Sequence, residues 1–185
     1  VNAKKLIAYC GGAEAVFQEK KKNLLNIFGI GERTVESIVS QNVLSRAERE
    51  LDFADRNGIR ILYYLNPDYP KRLQHCYDSP VIIYCKGYTD LNVEKIVGVV
   101  GTRNVTEYGK MLTDKLIDDL VEDNVLVVSG LAYGVDTCAH KAALKNDLKT
   151  AAVLAHGFQT IYPSANASLS RRMIESGGCL LTEHI

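Results

Sequence analysis

The sequence predicts an α/β protein in which a small helical domain precedes a Rossmann-like, doubly wound, mainly parallel β-sheet. From residue 95 onward, short β-branched and apolar runs alternate with amphipathic stretches, which is the pattern of βαβ units. Residues 1–45 show only short helical patterns separated by glycine-containing turns. We therefore expect a helical domain at 1–45, a connector with a helix and extension strands at 46–94, and a Rossmann-like domain at 95–185.

The composition is that of an ordinary globular protein, with 46% hydrophobic and 24% charged residues. These values argue against a disordered, collagen-like or disulfide-scaffold chain. No apolar stretch approaches the ~18 residues of a membrane helix, and the start of the chain lacks the layout of a signal peptide, so we expect a cytoplasmic protein without membrane contact. Basic and acidic residues balance at 22 each, so a nucleic-acid partner would have to bind a local cluster of charges.

No metal or cofactor is expected. The five cysteines are odd in number and widely scattered, and we interpret them as buried or incidental thiols. Neither the cysteines nor the histidines have the spacing of metal ligands. The dinucleotide fingerprint G-x-G-x-x-G is missing after the first Rossmann strand, and so is the P-loop pattern.

In the first domain, helices are expected at 3–9, 13–19, 24–27 and 32–41. The segment 27–35 has the hydrophobic-Gly-hydrophobic-Gly pattern of a helix-hairpin-helix, whose second helix begins with bare backbone N–H groups that can hold a DNA phosphate. Gly29, Gly31 and Arg33 are therefore candidate secondary DNA contacts. A plain tight turn between packed helices explains the pattern equally well.

The remaining elements follow from periodicity and from the turn residues between them. The connector should hold a helix at 47–57 and strands at 60–64 and 81–86, separated by a proline-rich irregular stretch. The Rossmann-like part should contain strands at 96–100, 125–128, 150–155 and 179–182 and helices at 107–123, 135–145 and 166–176. Right-handed crossovers would cover both faces of this sheet with helices.

Ligands of such sheets bind beyond the carboxyl ends of the strands, where loop amides and helix N-termini converge. We expect the guanidinium of Arg103, in the loop after the first Rossmann strand, to hold two phosphate oxygens. A salt bridge to Glu107 is the structural alternative. The other candidate phosphate- or DNA-binding residues of this rim are Gly101, Thr102, Ser129, Gly130, Gly134, Gly157 and Asn166.

No catalytic constellation is visible. Ser129 lacks the G-x-S-x-G elbow of a hydrolase, and it is better explained as a residue that caps or bonds a loop. Cys138 and His140 lie two residues apart on a predicted helix and should point to different sides.

Other polar and aromatic residues near the rim have structural explanations or could stack on bases. His156 and His184 are expected to face solvent or brace loops, and Asp136 to favour the N-terminal dipole of its helix. Aromatic side chains in or beside the rim loops offer stacking surfaces for bases, namely Tyr108, Tyr133, Phe158 and Tyr162.

Three stretches around these loops occur in a specific combination. They are Val-Val-Gly-Thr-Arg at 99–103, Val-Ser-Gly-Leu-Ala-Tyr-Gly-Val-Asp at 128–136 and Ala-Val-Leu-Ala-His-Gly at 152–157. Together with Leu-Thr-Glu at 181–183, they resemble the core signatures of the DprA/Smf family of DNA-processing proteins. The glycine turn at 29–31 is similar to that family's N-terminal helical domain.

The resemblance implies a protein of natural transformation that binds single-stranded DNA, protects incoming DNA and helps load the RecA recombinase, without catalytic activity. By motif match Arg103 would be the pocket arginine. Gly101, Thr102, Ser129 and Gly130 would shape the pocket floor. The family pattern also implies a homodimer in the full-length protein. It further implies a proline-rich turn and an R-N-R-I-I-A-like helix beyond Ile185 that would complete the pocket and carry the dimer and RecA surfaces, so the chain is expected to be truncated.

Two other functions remain as alternatives. A Rossmann-like nucleotide phosphoribohydrolase would share the architecture and the phosphate-holding rim, but its P-G-G-x-G-T-x-x-E pattern is missing from the chain. A duplex-DNA tether acting through the N-terminal hairpin alone would leave the rim loops unexplained.

Overall fold

The computed structural model describes residues 2–41 and 43–185. It begins with four short helices, α1 (Asn2–Cys10), α2 (Ala13–Gln18), α3 (Lys21–Leu25) and α4 (Glu32–Ser40). Their apolar faces bury a shared cluster drawn entirely from these helices and the turn before α4, comprising Leu6, Val16, Leu24, Ile27, Ile30 and Val35. All four predicted helices are confirmed, although α3 starts three residues earlier than expected.

The next segment contains α5 (Leu44–Arg56), β1 (Ile59–Tyr63), the short α6 (Lys71–Gln74) and β2 (Ile82–Gly87). The helix α6 was not predicted, because four residues are too few to show a helical period. It is held in place by tertiary contacts, including a hydrogen bond from the backbone N–H of Lys71 to Oδ1 of Asn92 at 2.7 Å.

The last segment alternates strands and helices as predicted: β3 (Ile96–Gly98), α7 (Glu107–Asp118), β4 (Leu126–Ser129), α8 (Val135–Lys145), β5 (Thr150–Val153), α9 (Ala167–Glu175) and β6 (Cys179–Thr182). A 3₁₀ turn at Ser164–Asn166 precedes α9. The helix α7 ends five residues earlier than expected, because the chain forms turns toward β4 and Asn124 takes a left-handed φ of 47°. No helix in the described ranges is long and apolar enough to cross a bilayer.

The six strands form one sheet in the order β1-β2-β6-β5-β4-β3. The pairs from β3 to β6 are parallel, whereas β2 joins β6 and β1 joins β2 in antiparallel fashion. The α/β class, the mainly parallel sheet and the preceding helical unit are therefore confirmed.

The covering of the sheet differs from the expectation of helices on both faces. Because neighbouring parallel strands follow one another in chain order from β3 to β6, right-handed crossovers place α7, α8 and α9 on one face. The opposite face is covered mainly by the connector, where Leu126 and Leu181 pack in a cluster with Tyr69 and Leu91. The helix-covered face instead buries the alternate strand residues, among them Val127, Ala152 and Leu180.

Candidate nucleic-acid interface

The carboxyl ends of β3, β4, β5 and β6 lie at one edge of the sheet because these strands are parallel. A cavity of about 100 Å³ opens at this rim. We call it the rim cavity, and its lining residues come from the loops after β3, β4 and β5: Arg103, Gly130, Ala132, Tyr133, Ala155, His156 and Tyr162. Of the eight predicted rim residues, Arg103 and Gly130 line this cavity directly.

Arg103 is exposed in the loop after β3, and its guanidinium forms no ion pair with any residue in the described ranges. The alternative explanation, a salt bridge to Glu107, is not realised. Oε1 of Glu107 instead lies 2.6 Å from Nζ of Lys110, one turn further along α7. The five N–H donors of Arg103 are therefore available to an anion at the rim.

Ser129 requires a correction, because it does not face the rim as a hydroxyl donor. Its side chain is only 3% exposed, and its Oγ donates a hydrogen bond to the carbonyl of Val99 at 2.6 Å. The hydroxyl proton is thus used to join the ends of β3 and β4. Ser129 therefore bonds the neighbouring loop, as the capping alternative implied.

Asn166 requires the same correction. It is only 4% exposed, and its amide donates to the carbonyl of Leu131 at 2.9 Å and to Oγ1 of Thr137 at 2.8 Å. Thr137 in turn donates to the carbonyl of Ala132 at 2.6 Å. Asn166 therefore supports the β4–α8 loop from below, because the groups it binds belong to that loop and to the first turn of α8.

Asp136 has a role that sequence reasoning missed. It was expected to act on the dipole of α8, but its buried Oδ2 accepts hydrogen bonds from the backbone N–H groups of Gly130 and Ala132 at 3.1 and 3.3 Å. The carboxylate thus fixes the loop that lines the rim cavity. An aspartate in the first helical turn after a glycine-rich loop was the available sequence clue.

The rim glycines are explained by packing between loops. A Cβ atom on Gly134, whose φ is 79°, would lie 2.1 Å from the carbonyl oxygen of Thr102. A Cβ atom on Gly101 would lie 2.7 Å from the side chain of Val135. A Cβ atom on Gly157 would lie 3.1 Å from the backbone carbonyl of Ile185. At Gly101 and Gly134 the space that a Cβ atom would occupy is therefore filled by protein atoms, so close packing by itself explains why both residues are glycines.

His156 braces its own loop, as predicted. Its Nε2 accepts a hydrogen bond from the backbone N–H of Tyr162 at 3.1 Å, so Nδ1 carries the proton and donates to the carbonyl of Gly157 at 2.8 Å. Both ring nitrogens are used. No group of residues that could hold a metal ion occurs in the described part of the chain.

His140 lies below the rim and is fully buried. Its Nδ1 donates to Oγ1 of Thr150 at 2.7 Å, because that hydroxyl already donates its own proton to the carbonyl of Val127 at 2.9 Å. Burial lowers the pKa of His140 to about 4, so the ring is neutral at physiological pH. Burial likewise raises the pKa of Cys138, and the two side chains form no hydrogen bond with each other.

Three of the four predicted stacking residues are well exposed, at 68% for Tyr108, 46% for Tyr133 and 64% for Tyr162. Tyr133 and Tyr162 line the rim cavity together with Arg103. Phe158 is half-buried and packs against the apolar cluster under α9. The rim therefore combines one unpaired guanidinium with two open aromatic rings.

The hairpin candidates lie on the separate helical unit. Gly29 makes the turn with a φ of 84°, and Gly31 precedes α4 without a side-chain cap. Arg33 is exposed in the first turn of α4, and the neighbouring Phe28 is 91% exposed. Nζ of Lys5 lies 5.9 Å from the ring centre of Phe28. None of these residues lines the rim cavity.

The chain is similar in sequence to known proteins. The model of the DNA recombination-mediator protein A family matches residues 60–185. The chain is 38% identical over 128 residues to the DNA processing protein DprA of Bacillus subtilis, which covers 69% of this chain and 43% of that protein. It is 44% identical over 105 residues to the protein of the same name from Streptococcus pneumoniae, covering 57% and 37%. The chain thus spans less than half the length of these relatives.

Solved structures agree with the sequence comparison. The X-ray structure of DprA from Streptococcus pneumoniae superposes with a TM-score of 0.78 at 30% identity, covering 99% of this chain and 62% of that one. DNA processing protein A of Helicobacter pylori, described for its single-stranded DNA binding mode, superposes with a TM-score of 0.58 at 31% identity, covering 68% and 55%. The chain therefore belongs to the DNA recombination-mediator protein A family, the family of the DNA processing proteins DprA and Smf.

Proposed function

We propose that this protein binds single-stranded DNA at the rim cavity. The observation that carries the proposal is Arg103, an exposed guanidinium without an ion-pair partner in the described ranges, in a cavity that it shares with Tyr133 and Tyr162. A guanidinium fork holds two phosphate oxygens at once, with charge-assisted hydrogen bonds. Open aromatic rings beside it give unpaired bases a surface for stacking.

Preference for single strands follows from these two kinds of contact. Phosphate contacts alone do not distinguish single strands from duplexes, because both expose their backbones. Bases inside a duplex are paired and stacked on one another, so they cannot reach Tyr133 or Tyr162 without unstacking. The rim therefore favours DNA whose bases are already free.

The names of the relatives support a role in DNA processing. Proteins of the family are named for DNA processing, and the Helicobacter pylori relative is described for single-stranded DNA binding. We place the chain in the processing of incoming single strands during natural transformation, in the cytoplasm. In the whole protein, we expect a homodimer that helps load the RecA recombinase.

We assign no catalytic step to this site. Two rim groups that could act as a nucleophile or a base are already occupied, because the hydroxyl of Ser129 binds Val99 and both nitrogens of His156 bind backbone groups. We therefore expect no turnover of nucleoside monophosphates, ATP or NAD. Product formation above the blank, lost when rim residues are mutated, would favour the phosphoribohydrolase alternative.

The proposal is tested by fluorescence anisotropy with labelled single-stranded and duplex oligonucleotides at low salt. Arg103→Ala should weaken single-strand binding by ~1–3 kcal/mol, the scale of hydrogen bonds to charged groups. Arg172→Ala, which removes an exposed arginine from α9 outside the rim cavity, is the matched control. Equal binding by wild type and Arg103→Ala would refute the assignment of Arg103, and equal affinity for both forms of DNA would refute the strand preference.

A further inference from the structure

Two cavities outside the rim cavity, one next to α5 and one next to α9, are lined by basic residues. The first is a cavity of about 290 Å³ next to α5, lined by Arg46, Arg49, Glu50 and Phe53, by Gln159 from the loop after β5 and by Ile185. The four α5 residues have the spacing of one helical face. Because Gln159 belongs to the loop at 155–162, this face of α5 lies next to the loop that contributes Ala155, His156 and Tyr162 to the rim cavity.

The second is a cavity of about 150 Å³ next to α9. It is lined by Lys86 of β2, by Arg171 and Ile174 of α9, and by Phe158 of the same loop. Lys86 pairs with Leu180 of β6, whose side chain packs beneath α9, so Lys86 stands on the helix-covered face of the sheet.

Two residue relationships indicate that the cavities are neighbours. Tyr84 and Lys86 share one face of β2, because side chains alternate along a strand. The hydroxyl of Tyr84 donates to Oε2 of Glu50 in the first cavity at 3.3 Å, while Lys86 lines the second. Phe158 and Gln159 are consecutive and line one cavity each. We treat both cavities as one α5–α9 cleft, separated from the rim cavity by the loop at 155–162.

The charges of this cleft are unbalanced. Four cationic side chains line it, and Glu50, whose carboxylate lies 2.8 Å from Nε of Arg46, is the one acidic side chain among its lining residues. Arg49, Lys86 and Arg171 form no ion pair with residues in the described ranges. In a chain with no net charge, such a group of unpaired cations is a local attractor for a polyanion.

We propose that the α5–α9 cleft holds the sugar–phosphate backbone of a nucleic-acid strand that continues from the rim cavity. Cations spaced along the cleft suit successive phosphates, and the apolar side chains of Phe53, Phe158 and Ile174 between them suit sugar and base faces. Continuity with the rim through the loop at 155–162 favours a nucleic acid over an acidic protein. The inference rests on the proposed single-strand binding, and it extends the DNA-binding surface from the rim cavity into the α5–α9 cleft.

The test compares oligothymidines of ~5 and ~20 nucleotides, of which only the longer can reach beyond the rim. The variant Arg49→Gln/Arg171→Gln removes two exposed cations, and Gln keeps the helical preference of Arg. Affinity for the longer strand should fall by about 10-fold, and its slope of log affinity against log salt should lessen by ~1.4, which corresponds to two phosphate contacts. Affinity for the shorter strand should not change. Arg172→Gln, on the same helix but outside the cleft, should affect neither.

Each outcome separates this inference from the rim proposal. Unchanged binding of the longer strand by the double variant overturns the cleft, whatever Arg103→Ala does. An equal loss for both lengths also overturns it, because the effect would then be on the rim. A loss for the longer strand alone, together with unaffected binding by Arg103→Ala, supports the cleft and refutes the rim assignment. If the double variant loses only binding to poly-glutamate, the cleft is a site for an acidic protein and the proposal fails.

Discussion

Oδ2 of Asp136 accepts a hydrogen bond from the backbone N–H of Gly130 at 3.1 Å, across the turn that joins β4 to α8. A Cβ atom on residue 130 would lie 2.8 Å from the same oxygen. A side chain at residue 130 would therefore push the carboxylate of Asp136 away from the position in which it accepts this hydrogen bond. This constraint shapes the wall that Gly130 contributes to the rim cavity.

We expect the two residues to be energetically coupled. Gly130→Ala should destabilise the protein by ~1–3 kcal/mol, the usual cost of overpacking. Asp136→Ala should cost ~1–3 kcal/mol because two backbone N–H groups lose their acceptor. In the double variant, the alanine at 130 no longer meets the carboxylate, so the combined cost should be less than the sum by at least ~0.5 kcal/mol. Urea unfolding of the four proteins measures this coupling, and additive effects would show that the contact does not constrain the loop.

The variant Ser129→Ala tests whether Ser129 stabilises the loop structure beneath the rim or contacts DNA directly. The variant loses the hydrogen bond to Val99, so the free energy of unfolding should fall by ~1 kcal/mol. Affinity for single-stranded DNA should change far less than in Arg103→Ala, because the hydroxyl is buried. Loss of affinity without loss of stability would instead mean that Ser129 binds the ligand.

His140 should make stability depend on pH. Burial lowers its pKa from 6.5 to about 4 in the folded state, while the nearby Asp136 acts in the opposite direction. Between these values, the unfolded chain binds a proton that the folded chain does not, so stability falls as pH decreases through this window and no further below about 4. The loss amounts to at most ~3 kcal/mol.

The variant His140→Gln isolates this effect from that of the carboxylates. It should be less stable at neutral pH, because it disturbs the hydrogen bond to Thr150, but it should lose less stability than wild type between pH 6.5 and 4. Unfolding by urea across this range provides the measurement. Parallel pH profiles for the two proteins would exclude His140 as the source.

Arg33→Gln tests whether the hairpin adds a phosphate contact. If Arg33 binds DNA, the slope of log affinity against log salt should lessen by ~0.7, while the preference for single strands stays unchanged because the rim sets it. Lys21→Gln is the control, since that lysine lies 3.6 Å from Glu36 in the same helical unit. Loss of the single-strand preference in Arg33→Gln would move the main binding site to the hairpin.

Most elements of the fold could be predicted because their determinants are local. The helix α8 and the strand β6 have the predicted bounds, since each is a periodic run ended by turn residues. The short α6 could not be predicted, because contacts from the distant Asn92 hold it. Local sequence patterns also could not show which face of the sheet the helices cover, because that depends on the spatial order of the strands.

By itself, the sequence determined where most helices and strands form, that parallel strand ends meet at one rim, and that Arg103 lies on a loop there. Periodicity and turn chemistry act over a few residues, so they can be recognised without the fold. Tertiary structure decided which of these groups remain open to a ligand. The side chains of Ser129 and Asn166 are buried and already hydrogen-bonded to backbone groups. Arg49, Lys86 and Arg171 line the two cavities next to α5 and α9. Both outcomes depend on contacts between residues that are distant in the chain, so local patterns could not show them.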